Sequence, residues 1–143
     1  MKIARLLLLV CSFCCPAVRA QTTYQWTNWV AGAADGSWGS GANWNPAGPA
    51  AGVDNTAQFT QPVTNSATLT LDGSYTVGNL LFGNTATNAI GWTLNSGTPS
   101  TSPLKLSVSS GTPSITVTNQ SATFGAVLAG TQGFALSLSL IHI

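Results

Sequence analysis

Beyond Pro62, apolar and polar side chains alternate in short runs, clearest in Ala67-Thr68-Leu69-Thr70-Leu71, Leu104-Lys105-Leu106-Ser107-Val108 and Ser114-Ile115-Thr116-Val117-Thr118. A period of two sends successive side chains to opposite faces, so each run predicts a strand with one apolar face and one Thr- or Ser-rich face. Tyr75 to Phe82, Trp92-Thr93-Leu94 and Thr123 to Leu128 are read as further strands, separated by turn-rich runs such as NSGTPSTSP and SSGTP. Before Pro62 the pattern is looser. Tyr24-Gln25-Trp26-Thr27 and Thr56-Ala57-Gln58-Phe59 have strand character, and between them lie loops rich in Gly, Pro and Asn. No stretch of ten or more residues carries a 3.6-residue period, so the predicted fold class is all-β.

Two architectures fit these strands. In a parallel β-helix, Val63 to Leu128 supplies about three turns, because coil repeats start at roughly 20 residues. In a β-sandwich or jelly roll, the same strands pair as antiparallel hairpins. Asp72-Gly73 accepts positive φ and suits either a hairpin turn or the corner of a coil. The coil accounts better for the Gly, Ser and Thr corners and for the scarcity of charge on both faces. A short coil with an uncovered last turn is expected to join edge to edge with its neighbours.

The ends divide the chain further. Lys2 and Arg5, the apolar stretch Leu6 to Cys15, and Val18-Arg19-Ala20 have the three parts of a secretory signal peptide over residues 1–20. The apolar stretch is shorter than the roughly 20 residues of a membrane-spanning helix, and Pro16 interrupts it. Cys11, Cys14 and Cys15 all leave with the signal, so the mature chain from Gln21 is expected to hold no disulfide. Back-translated, Leu138 to Ile143 resembles the end of a sequencing-library adapter; the stretch is read as carried-over sequence, together with His142, the alternative being an apolar C-terminal strand. Residues 21–62 are then read as a Trp-rich cap and 63–137 as the strand-bearing turns.

Charge excludes whole classes of function. Only 5% of the chain is charged, and between Gln21 and Ser137 the sole basic side chain is Lys105, against Asp35, Asp54 and Asp72. One lysine cannot supply the phosphate contacts that drive nucleic-acid binding, nor a basic membrane-surface patch. The aromatic and β-branched content argues for a folded chain rather than a disordered one. Glycosidase chemistry needs two carboxylates facing each other, yet all three aspartates fall in turn dipeptides, Asp35-Gly36, Asp54-Asn55 and Asp72-Gly73, where a short acid caps its own backbone. There is no Glu, and without Cys or His in the mature chain a nucleophile has no base. No catalytic residue, metal site or cofactor is therefore expected; the aspartate spacing lacks the dense acidic run of a calcium loop.

Tryptophan is the remaining chemistry. Trp26, Trp29, Trp38 and Trp44 fall within one short stretch, and their apolar faces could line a groove for a surface polysaccharide. Alternatively, they plug the first turn of the coil, where an apolar end and unpaired backbone need covering. The plug is the preferred reading, with Trp92 assigned to the core.

Trp26, Trp38, Asn43-Trp44, Pro49 and Asp54-Asn55-Thr56-Ala57-Gln58-Phe59, followed by Tyr75-Thr76-Val77-Gly78-Asn79-Leu80-Leu81-Phe82 and Val127-Leu128-Ala129-Gly130-Thr131-Gln132-Gly133-Phe134, form an unusual arrangement. It resembles the N-terminal region of bacterial autotransporter-associated β-strand repeat proteins over most of residues 26–134. The resemblance implies a fragment of a large, exported, right-handed parallel β-helix of Gram-negative type. Such a protein is displayed at the outer membrane or released from it, and acts as a structural or adhesive passenger toward cell-surface components. Two other readings remain open: a carbohydrate-binding β module, or the non-catalytic start of a polysaccharide-degrading β-helix enzyme.

Overall fold

The computed structural model describes residues 20–139. The expected signal segment up to Arg19, with its three cysteines, and residues 140–143 with His142 lie outside the described residues. In chain order the strands are β1 (Thr23–Trp26), β2 (Gly36–Ser37), β3 (Trp44–Asn45), β4 (Gly52–Phe59), β5 (Thr68–Leu71) and β6 (Tyr75–Phe82). They continue with β7 (Trp92–Ser96), β8 (Pro103–Leu106), β9 (Ser114–Thr118), β10 (Ala122–Phe124), β11 (Val127–Ala129) and β12 (Ala135–Ser139). A single 3-10 turn at Gly41–Asn43 is the only helical element among the described residues. The protein is all-β.

The strands form an eight-stranded and a four-stranded sheet, and from β4 to β7 the chain alternates between them. Pairing is parallel almost throughout. In the larger sheet Ala57 lies beside Leu80, Leu80 beside Ile115, and Ile115 beside Leu136. In the smaller sheet Gly36, Leu69, Leu94 and Phe124 follow one another in the same way. The eight-residue β6 pairs through its first half with β8 and through its second half with β9, and these lead on to β11 and β12. Antiparallel pairing between strands is confined to β1 and β3, where Trp26 sits beside Trp44.

Parallel register is what turns the period-two pattern into a core. Like positions on successive strands align, so apolar side chains meet across the ladder and Thr or Ser side chains line the other face. Leu69, Leu71, Leu80, Leu94, Leu104, Leu106 and Ile115 are all buried. Phe59 and Phe82 stack with centroids 4.8 Å apart and rings within 14° of parallel, close to the strand spacing of about 4.8 Å that in-register neighbours impose. Trp92 is buried in β7, and its indole N–H donates to the Gly83 carbonyl at 2.8 Å, as a core tryptophan requires.

One open point is decided and two local expectations change. Asp72-Gly73 closes no hairpin: β5 pairs with β2 and β7, whereas β6 pairs with β4, β8 and β9, so the dipeptide carries the chain from one sheet to the other. The run Thr123 to Leu128 is two strands rather than one. The N–H groups of Gly125 and Ala126 both donate to the Leu94 carbonyl, at 2.8 and 3.1 Å, and there the chain leaves the smaller sheet for the larger. Alternation records which face a residue takes, not which sheet it joins. Finally, β4 begins at Gly52 rather than at Thr56, with a bulge between those two residues. The stretch set aside at the C-terminus enters β12 through Leu138 and Ser139, which pair with Val117 and Thr118.

Candidate functional site

Three of the four clustered tryptophans converge on one residue that the sequence does not single out, Phe59. Its ring centroid lies 6.1 Å from Trp26, 5.7 Å from Trp38 and 5.5 Å from Trp44. Trp44 meets Trp26 edge-on at 5.0 Å and Trp38 at the same distance, in the edge-to-face arrangements that the aromatic quadrupole favours. Trp26 and Trp38 have no exposed surface and Trp44 keeps 3%. Each polar tip is satisfied by a carbonyl: Trp26 donates to Asn28 at 3.0 Å, Trp38 to Ala50 at 2.9 Å and Trp44 to Trp38 at 2.8 Å. Trp29 stands apart. It is 41% exposed, and its N–H reaches the Pro62 carbonyl at 3.3 Å. Of the four indoles offered by the alternative groove reading, three are inside and one is at the surface.

The loops around the rings are held by side-chain amides acting as backbone substitutes. Asn43 donates to the Ser37 carbonyl at 2.9 Å, Asn28 to Asp35 at 2.6 Å, and Gln61 to Trp26 at 2.8 Å. Such bonds satisfy carbonyls that irregular loops would otherwise leave unpaired. Among the described residues no buried side-chain nitrogen or oxygen lacks a partner.

The turn reading does not account for the aspartates, because each bonds to residues far along the chain. Asp35 accepts from Ser66 Oγ at 2.5 Å and from the Thr68 N–H at 2.7 Å, joining the loop before β2 to the start of β5. Asp72 accepts from Ser37 Oγ, from the Gly39 N–H at 2.9 Å and from Tyr75 Oη at 3.0 Å. Burial pushes the Asp72 carboxyl up, but the bonds from Ser37, Tyr75 and Gly39 outweigh it and hold the group below the ordinary carboxylate range. Tyr75 is raised in turn, by burial first and then by its bond to the Asp72 charge. Its ring lies 6.0 Å from Trp38, so this corner and the aromatic cluster are one packed unit.

Asp54 occupies the bulge of β4 with φ near 70°, a left-handed conformation that Asp tolerates better than most residues. Its N–H donates to the Ser107 carbonyl at 3.2 Å, and its Oδ1 accepts from the Ser109 N–H at 2.7 Å. Beneath it lies Gly78 of β6, where an added Cβ would come within 2.7 Å of the Asp54 backbone. The DNTAQF and YTVGNL motifs therefore belong to one contact, in which a glycine makes room for the bulge above it. The three acids face different partners. Among the described residues no group of three His, Cys, Asp or Glu side chains converges to hold a metal ion. Nor is any helix there long and apolar enough to cross a membrane.

Compared with protein-family models, with curated proteins and with solved structures, the chain matches none.

Proposed function

We propose that this chain is the capped start of a right-handed parallel β-helix in an exported structural or adhesive protein of the autotransporter-associated type, and that it carries no catalytic chemistry. The burial of Trp26, Trp38 and Trp44 around Phe59 is the observation on which the reading rests. Rings packed on one another and bonded through their N–H groups close off an apolar end; a sugar-stacking platform needs open faces. Parallel ladders that advance from β4 through β6 to β9 and β12 favour a coil over a hairpin-built sandwich. The linked Asp54 and Gly78 lend structural sense to the two motifs that carry the family resemblance.

Tryptophan fluorescence during titration with glucan and pectin tests the cap. The expected result is blue-shifted emission that does not respond to either polysaccharide. A saturable shift or quench that survives Trp29→Phe would place sugar against the inner rings and overturn the reading. Export is tested separately, by expressing the full chain in a Gram-negative host and sequencing the N-terminus of the recovered protein. A start at Gln21 is expected; retention of Met1 in the cytoplasm would remove the exported-protein assignment.

A further inference from the structure

The outer faces of the two sheets differ in what their polar side chains do. On the smaller sheet Leu69, Leu71, Trp92 and Leu94 are buried, which leaves Thr68, Thr70, Thr93, Asn95 and Thr123 on the opposite face. Parallel register sets that face in two columns: Thr68 beside Thr93 beside Thr123, and Ser37 beside Thr70 beside Asn95. Ser37 is committed to Asp72. None of the other five side chains hydrogen-bonds to another described residue. On the larger sheet several such groups are spent on the protein: Ser114 Oγ donates to Asn79 at 2.8 Å, Thr118 Oγ1 donates to the Phe82 carbonyl at 3.3 Å, and Thr56 Oγ1 accepts from Gln21 at 3.2 Å. The two columns hold no charged residue, and Lys105 lies on β8 in the other sheet. Thr68, Thr70 and Thr93 are partly exposed and Asn95 is exposed. Their face runs alongside the stack of strands, so a further turn would lengthen it without covering it.

We propose that this threonine face binds ice. In-register neighbours on adjacent strands repeat at about 4.8 Å, and Thr68 and Thr70, two residues apart on one strand, repeat at about 6.6 Å. The prism face of hexagonal ice repeats its oxygens on a rectangular net of nearly these two lengths, so each hydroxyl can stand in for a lattice water. Threonine suits the task because its branched Cβ restricts the hydroxyl and methyl to few rotamers, and the array is therefore ordered before contact. A charged ammonium would instead hold a strong hydration shell of its own. No aromatic ring stands in either column, so the stacking that grips a sugar chain has no platform here. The inference goes beyond the functional reading above and holds whether or not the chain is exported, since it uses only register and side-chain chemistry.

Two measurements on the purified full chain test this: its uptake into a slowly growing shell of polycrystalline ice, and its effect on the coarsening of small ice crystals in a frozen film. The chain should enter the ice and slow the coarsening. Thr93→Lys, at the centre of the array, should raise the concentration needed for half-inhibition by at least about tenfold, as loss of a central anchor does. Thr116→Lys makes the same change on the outer face of the larger sheet and should alter nothing. Unfolding midpoints establish that each variant is folded, and where Thr93→Lys lowers the midpoint, Thr70→Lys makes the same test. Exclusion of the parent chain from ice would overturn the proposal. Equal loss in the Thr93 and Thr116 variants, or full activity in folded Thr93→Lys, would overturn it too. Sedimentation with crystalline cellulose in place of uptake into ice would assign the face to a polysaccharide instead.

Discussion

Trp26, Trp38 and Trp44 have almost no contact with solvent, whereas Phe134, Leu136 and Leu138, at the opposite end of the same ladders, are about half-exposed. Both groups are large and apolar, so hydrophobicity does not separate them. What separates them is coverage. Trp26 in β1 has β4 on one side and β3 on the other, and Trp38 and Trp44 pack on one another and on Phe59, while among the described residues β12 pairs with β9 alone. A parallel ladder buries a residue when the next strand arrives, and an end residue stays exposed until something else covers it.

Substitutions on the two sides of this comparison should differ most in the first test. Trp38→Ala should cost about 3–5 kcal/mol, the range for emptying a large aromatic site in a core, with added loss from the unpaired Ala50 carbonyl. In the monomer, Leu138→Ala should stay within about 0.5 kcal/mol of the parent, as exposed substitutions do. Denaturant unfolding at low protein concentration measures both, and similar losses would mean that the two ends are equally covered.

Gly78→Ala comes next. Its new methyl would press on the Asp54 backbone, and forced insertion of this kind costs about 1–3 kcal/mol. Gly133→Ala provides the contrast at the open end, because nothing stands within 4 Å of its added Cβ, although a φ of 68° adds its own conformational strain. The Gly78 substitution should also weaken the Ser107–Ser109 bonds to Asp54, which amide exchange at Ser109 would report.

The smallest effect is electrostatic and belongs to the capped end alone. Because the Asp72 carboxyl is held below its unfolded value of about 3.9, its contribution is complete above that pH and is lost as pH falls through the lower folded value. Tyr75 runs the other way: its raised value means that its contribution is complete below about pH 10 and is lost as pH rises through the folded value. Melting temperatures across pH should therefore show an acid limb that Asp72→Asn removes and an alkaline limb that Tyr75→Phe removes. An unchanged acid limb in Asp72→Asn would detach this corner from the stability of the cap.

Much of the fold was legible because strand formation here depends on local pattern. The alternation in Ala67 to Leu71 and Ser114 to Thr118 names the buried positions, and Leu69, Leu71, Ile115 and Val117 are indeed inside. Phe59 was harder to see. Nothing in Thr56-Ala57-Gln58-Phe59 distinguishes its ring from any other strand phenylalanine, and it becomes a hub only because parallel pairing sets it over Phe82 while the loops bring three indoles to it. The distant partners of the aspartates were invisible for the same reason. A turn dipeptide announces that a short acid is present, not which neighbouring layer its oxygens will reach.

Period-two alternation, scarce charge and the gathering of four tryptophans were enough to make this chain all-β, to separate a loop-rich start from a strand-rich remainder, and to identify the apolar faces. Which strands are neighbours, that Asp72-Gly73 turns between sheets, that Gly78 sits under Asp54, and that one end is covered while the other is open were decided only in three dimensions. The division is physical. Side-chain direction along a strand is set by the backbone of that strand alone, whereas pairing and coverage depend on surfaces that meet only after distant segments of the chain have come together.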